Sequence, residues 1–460
     1  MSSYFAQRLG IGAITLLLAS SAFSSKPELG GKRLADRIIS ATDQQRGSMD
    51  PKAIEMALRR HGAKRAALRA DFVSRHTTTY SKELPATPIR SQAASGRCWI
   101  FTALNMIERD YALRAGNSVK LSRAWINAKN LQSSAYELIQ SGAAASSLTA
   151  VSNSDIGEGG HFAYALNIIE KYGAVPERVM RDFHDSKNSG TAVKLIEIIV
   201  VDAQERLKQT GKNTPEALAI VKQARADIDR TIARVFTGKD KLPDTFIHDG
   251  KTYTPKTFAD EQLQVKPADY VTLQDQHSTR EGWSIAGSGI HRFTAYNTGS
   301  IELMKDAVRA AIDQGKKVYV SAPVGPASAP YMTANDAAPG APATPGVMSI
   351  VAHDYASLGL AHPPLDRTTV QRNGVHPTNH AMTITGYDLG SDGKVIKWKV
   401  ENSWGEKAAD RGIQHMYDDF FTTFVGVVTV PRTAIAPPLA AKMNAERKVL
   451  LELQAMKDPT

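Results

Sequence analysis

The stretch Ser91-Gln92-Ala93-Ala94-Ser95-Gly96-Arg97-Cys98-Trp99-Ile100-Phe101 joins a loop of small residues to an apolar repeat, and the residue at the joint is a cysteine. Beyond it Leu104, Ile107 and Tyr111 continue at helical spacing, so Cys98 is predicted at the start of a helix. Unpaired N–H groups and the macrodipole make that position favourable for a negative charge, and a thiol becomes a nucleophile only when ionised. Ser95 and Gly96 suit a tight entry from loop into helix. Cys98 is the only cysteine of the 460 residues, so no internal disulfide can form and the core must hold the fold.

An activated thiol needs an imidazole to share its proton. Far along the chain, His380-Ala381-Met382-Thr383-Ile384-Thr385-Gly386-Tyr387 reads as a strand, Gly390-Ser391-Asp392-Gly393 as a turn, and Val395 to Asn402 as a second strand. This β-hairpin is predicted to set His380 and Asn402 opposite or nearly opposite each other. Among 12 histidines His380 stands out through that pairing, with His161 and His376 as weaker rivals. An amide such as Asn402 can accept the imidazole N–H and orient the ring without adding a charge, and Trp404 beside it could shield the bond. Gln92, six residues before the cysteine, offers a side-chain amide to join the Cys98 N–H in stabilising an oxyanion.

Outward from these motifs the chain is helical over 32–75, 121–139, 163–172 and 191–236, with Pro215 dividing the last. Ser300 to Gly315 reads as a helix leading into a strand at 317–322, and Asn444 to Met456 as a terminal helix. Residues 326–345 are mostly Ala, Pro, Gly, Ser and Thr and are expected to form a loop with little core.

The composition, 42% hydrophobic and 22% charged, is that of a globular protein. The net charge of +10 is spread among acidic residues with no basic run carrying interleaved aromatics, which leaves nucleic-acid binding a minor expectation. No paired metal-ligand spacing and no glycine-rich phosphate loop is found, so neither metal nor cofactor is expected. Arg8 precedes an apolar run from Leu9 to Phe23, followed by Ser24 and Ser25. At about fifteen residues it is shorter than a spanning helix requires and reads as a secretory signal, cleaved after Ser24. Export to a periplasm or medium, with no stable membrane span, is therefore expected.

The segments 91–101, His380-Ala381-Met382-Thr383 and Val400-Glu401-Asn402-Ser403-Trp404-Gly405-Glu406 resemble, in chain order, the nucleophile, histidine and asparagine motifs of bleomycin hydrolases and bacterial aminopeptidases C, a branch of the papain-like peptidases. Gly159-Gly160, Glu170-Lys171-Tyr172-Gly173-Ala174-Val175-Pro176 and Tyr296-Asn297-Thr298-Gly299 extend the likeness across much of 80–435. It implies a two-lobed α+β papain-like fold, its helical lobe carrying Cys98 and its β-rich lobe His380 and Asn402, and peptide substrates. Gly159 or Gly160 would pair with substrate backbone. Residues 181–265, which lengthen the cysteine-to-histidine spacing beyond the simple papain pattern, resemble the helical insertion with which the family builds hexamers. The terminal carboxylate, on Thr460, would hold the free amino group of an aminopeptidase substrate. The expected division is a signal at 1–24, a helical arm at 25–80, a helical lobe at 81–180, the insertion at 181–265, the β-rich lobe at 266–435 and a C-terminal arm at 436–460. A papain-like endopeptidase and a non-catalytic binding or scaffold protein of the same fold are the alternatives.

Overall fold

The computed structural model describes residues 50–144, 156–210, 213–277, 280–287, 289–324, 328–333, 346–360, 366–373 and 379–457. The expected signal, His376, Thr460 and most of the Ala/Pro-rich segment lie outside them.

Helix α1 (Pro51–Ala67) starts where Asp50 accepts the N–H of Lys52 and proline takes the first position, and it is interrupted at Gly62. After α2 (Ala70–Arg75) the chain runs extended into the short strand β1 (Lys82–Glu83). The helical lobe comprises α3 (Cys98–Ala115), α4 (Arg123–Ala144), α5 (Phe162–Tyr172), α6 (Gly190–Lys208) and α7 (Pro215–Thr237). Thr214 caps the start of α7 through the Ala217 N–H, and Gly238 closes its end in the left-handed conformation that lacks a Cβ penalty. One core unites these five helices, from Trp99, Leu104 and Ile107 to Ile196, Ile228 and Phe236.

The second lobe is built on a mixed sheet. Its strands are β2 (Tyr270–Gln274), β3 (Gly282–Ala286), β4 (Phe293–Asn297), β5 (Val318–Ala322), β6 (Val347–Met348), β7 (His380–Leu389), β8 (Val395–Glu401), β9 (Ile413–Tyr417) and β10 (Val427–Pro431). They lie in the order β3-β4-β2-β10-β5-β7-β8-β9-β6, with β1 paired to β7. Helices α8 (Ile301–Asp313) and α9 (Asp418–Phe424) cover it, burying Met304, Val308, Phe420 and Phe421 against Val320, Met382, Ile384 and Trp398. Helix α10 (Pro437–Lys457) begins earlier than the expected Asn444 and docks on β3, where the Trp283 indole donates to the Met443 carbonyl at 2.8 Å.

Strands β5 and β7 form the seam between the lobes. Side chains alternate across a strand, so Val320 and Met382 enter the core of the sheet while Tyr319 and Ala381 join that of the helices. The hairpin forms as expected around Gly390–Gly393 and sets His380 and Asn402 nearly opposite each other. Glu401 pairs with Thr383, and bulges interrupt the ladder. Continuing that pairing sets Asn402 against Met382, so it stands diagonal to His380 rather than directly opposite.

Candidate active site

Helix α3 begins at Cys98 itself, with no side-chain cap and no acidic residue in its first turn. The N–H groups of Cys98 and Trp99 are therefore free to stabilise a negative sulfur, and the N–H of Ala381, next to His380 on β7, reaches it from the other lobe. Burial works against them and pushes the thiol up. Burial likewise pushes His380 down to about 4, opposed by its bond to Asn402. In both groups burial outweighs these contacts, so the charged form of each is disfavoured when it stands alone.

His380 Nε2 lies 2.8 Å from Asn402 Oδ1, which also accepts the Ser403 N–H at 2.7 Å. An oxygen accepting twice fixes Nε2 as the protonated nitrogen and leaves Nδ1 for exchange with a thiol. Trp404 stacks on the imidazole at 5.0 Å and 30°, covering the bond. The Asn402 N–H is held by the Gly412 carbonyl at 3.0 Å, and the Ser321 hydroxyl donates to the His380 carbonyl at 3.3 Å. Asn402 Nδ2 is buried and has no hydrogen-bond partner among the described residues.

The loop before Cys98 is stitched to the turn after Asn402. Gln92 N–H donates to the Ser403 carbonyl at 2.8 Å and Gly405 N–H to the Arg90 carbonyl at 3.2 Å, a short antiparallel ladder. The Ser403 hydroxyl donates to Gln92 Oε1 at 2.5 Å and Gln92 Nε2 donates to the Ser95 carbonyl at 2.6 Å. That orients the amide, whose second hydrogen stays available. Ala93, beside it, adopts a φ of 52°, a left-handed conformation costly for a residue with a Cβ and often found where a site is held in shape.

Gly160 backs directly onto the residue after Cys98: a Cβ there would sit 2.5 Å from the Trp99 ring, so only glycine lets this edge approach. Gly159 next to it is exposed. His161 follows, its buried nitrogens without hydrogen-bond partners among the described residues and its ring among Phe293, Tyr164 and Tyr319. Among the described residues no group of three or more His, Cys, Asp or Glu side chains has the arrangement of a metal site, and no helix is long and apolar enough to cross a membrane.

Sequence reasoning missed Ser403, Glu158 and the buried Arg97–Asp182 pair. Ser403 and Glu158 carried a signal, each adjoining a motif residue; Asp182 carried none, since only folding brings it to Arg97, at 2.7 Å.

Known proteins bear on this geometry. Residues 36–457 match the family described as Peptidase C1-like. Aminopeptidase G of Lactobacillus delbrueckii subsp. lactis is 25% identical over 417 residues, spanning 83% of this chain and 90% of that one. Bleomycin hydrolase of Gallus gallus is 24% identical over 408 residues, 79% and 84% of the two chains. The crystal structure of PepW from Lactobacillus rhamnosis superposes with a TM-score of 0.73 at 21% identity, covering 90% of this chain and 95% of its own; the fold is thus the α+β papain-like one. Because the family match spans all of the described residues and most of the chain, this chain belongs to the Peptidase C1-like family.

Proposed function

We propose that this chain is a cysteine aminopeptidase in which Cys98, His380 and Asn402 do the chemistry. The observation that carries the reading is the 2.8 Å bond between His380 Nε2 and Asn402 Oδ1, on a strand whose next N–H contacts the Cys98 sulfur. The sulfur attacks the scissile carbonyl carbon as its proton passes to His380 Nδ1. The carbonyl oxygen, now negative, is met by the Cys98 N–H and the Gln92 amide. Collapse breaks the C–N bond, the imidazolium proton leaves with the amine, and a thioester remains. Water then gives a proton to His380 and its oxygen to the thioester carbon, releasing the acid and the thiol.

Gly159 and Gly160 are proposed to pair with substrate backbone, and the carboxylate of Thr460 to hold the substrate's amino group. The relatives' names as aminopeptidases support this last assignment. Fluorogenic peptides with free and blocked amino termini test it, using the wild type and Cys98→Ala. Cleavage of free peptides only, abolished in the variant, is expected. Equal cleavage of blocked peptides would replace the exopeptidase with an endopeptidase. A sulfur that iodoacetamide labels no faster at pH 6 than an ordinary thiol would leave a binding protein.

The insertion is proposed to mediate self-assembly into a closed oligomer, a hexamer by family resemblance. Leu195, Ile198 and Val201 of α6 support this, an apolar stripe 41%, 64% and 43% exposed. Sedimentation of Ile198→Asp, expected to dissociate, tests it. Export is the remaining proposal, supported by the apolar run 9–23 and read by sequencing the amino terminus of the mature protein.

A further inference from the structure

Glu158 sits on the loop between α4 and α5, just before Gly159, and its carboxylate is a junction. One oxygen accepts the Gly96 N–H at 3.0 Å and also the Ser189 hydroxyl. The other accepts Asn127 Nδ2 at 2.7 Å, and the main-chain carbonyl accepts the Trp99 indole N–H at 2.6 Å. Gly96 packs so closely that a Cβ on it would lie 2.9 Å from the Glu158 Cβ.

A second acid repeats the arrangement one residue on. Arg97, wholly buried, pairs with Asp182 at 2.7 and 3.3 Å, and Asp182 also accepts the Ser186 hydroxyl at 3.1 Å. The two residues before Cys98 are thus each held by an acid whose other partner is a serine at the start of the helical insertion, and Ser189 is the residue from which α6 departs. Helix α3 has no side-chain cap of its own, so these acids fix its entry angle. Glu158 does so although its charge opposes ionisation of the nearby thiol. A carboxylate is a poor choice for reactivity here and a good one for anchoring three donors at once.

We infer that Glu158 is a positioning residue for Cys98, tying the loop that aims the sulfur to the first turn of the helical insertion, so that the seating of the insertion sets turnover. Misplacement of a reacting atom by about 1 Å can cost about 100-fold, which is the scale on which such an anchor acts. The inference rests on Cys98 being the nucleophile.

Two measurements test it, both normalised to alkylatable Cys98 so that misfolded protein does not count. These are kcat and KM on a free-amino fluorogenic peptide, and the rate of Cys98 alkylation by iodoacetamide against pH, with the alkylatable fraction counted at pH 6, where the thiol of an unfolded chain reacts slowly. Glu158→Gln is expected to lower kcat about 10- to 100-fold at unchanged KM, while the alkylation limb moves to lower pH because a negative charge is gone. Ser189→Ala, which removes a partner of the carboxylate and no charge, is expected to lower kcat about 3- to 10-fold and leave the limb in place. An unmoved limb and wild-type kcat in Glu158→Gln would reduce Glu158 to a structural contact. Wild-type kcat in Ser189→Ala would sever the insertion from the site. Alkylation reads the sulfur whatever the substrate, so a protein that cleaves no peptide refutes the aminopeptidase, while the anchor then stands if Glu158→Gln and Ser189→Ala change the plateau rate of Cys98 alkylation and falls if neither does.

Discussion

Two buried histidines, His380 and His415, meet the same burden and put it to different use. His415 on β9 is 1% exposed and His380 on β7 is 7% exposed. Burial pushes both down to about 4. His415 has both nitrogens engaged, Nδ1 with the Tyr80 hydroxyl at 2.5 Å and Nε2 with Asp410 at 3.2 Å. Its ring meets His76 edge-on at 4.6 Å, and His76 Nδ1 bonds the Tyr417 hydroxyl at 2.9 Å. His380 commits only Nε2, and the strand that carries it also touches a sulfur. A shifted pKa is common to both and separates nothing; the free nitrogen does. Where both nitrogens are bound, the imidazole fastens the chain before β1 to the sheet. Where one is left, it can move a proton.

The largest effect follows from exchanging the two. His380→Ala is expected to lower kcat by about 1000-fold or more, since both proton transfers pass through it. His415→Gln is expected to keep kcat within about threefold and to lose about 2 kcal/mol of stability, read by urea unfolding. Comparable losses of activity in the two variants would end the distinction. Asn402→Ala comes next, at about 10- to 100-fold in kcat with little change in KM, because the ring loses its orientation while the substrate keeps its contacts. Asn402→Asp places a charge beside Nε2 and is expected to raise the imidazole pKa, moving the pH profile of kcat/KM upward.

Acid sharpens the comparison in a second way. His76 is pushed down to about 3, by burial first and then by the charges of His415 and Lys397, with Asp410 opposing. Both latch histidines lie below the 6.5 of an unfolded chain. The unfolded state therefore binds protons first, and stability, full above about pH 6.5, falls as pH drops toward 4. Urea midpoints across that window should decline more gently in His76→Gln/His415→Gln than in the wild type, and parallel slopes would show that other groups carry the acid sensitivity.

The chemistry of the site was more legible in sequence than its surroundings, for a physical reason. The helix at Cys98 and the hairpin after His380 are local: periodicity and turn residues specify them without reference to the rest of the chain. The offset of Asn402 from His380 is not so legible, because it is set by the centre of the turn: Leu389 already pairs with Val395, and the two bulges beyond shift the register in opposite senses and cancel. The antiparallel contact of Arg90–Gln92 with Ser403–Gly405 and the reach of Asp182 to Arg97 are longer-range still. The latch was invisible for the same reason: Tyr80, His415 and Asp410 look like ordinary polar residues until β9 brings them beneath the extended chain.

The smallest effect probes that latch most cleanly. Tyr80 stacks parallel on His415 at 5.9 Å, and the Lys397 ammonium lies 4.7 Å over its ring while donating to the Thr77 carbonyl at 2.6 Å. Tyr80→Phe keeps the stacking and the cation–π contact and removes only the hydroxyl, leaving His415 Nδ1 buried without a partner. A cost of about 1–2 kcal/mol in urea unfolding is expected, with kcat and KM unchanged. A fall in kcat larger than about threefold would mean that the chain between α2 and β1 transmits to the loop before Cys98, and that two clusters treated as independent are one.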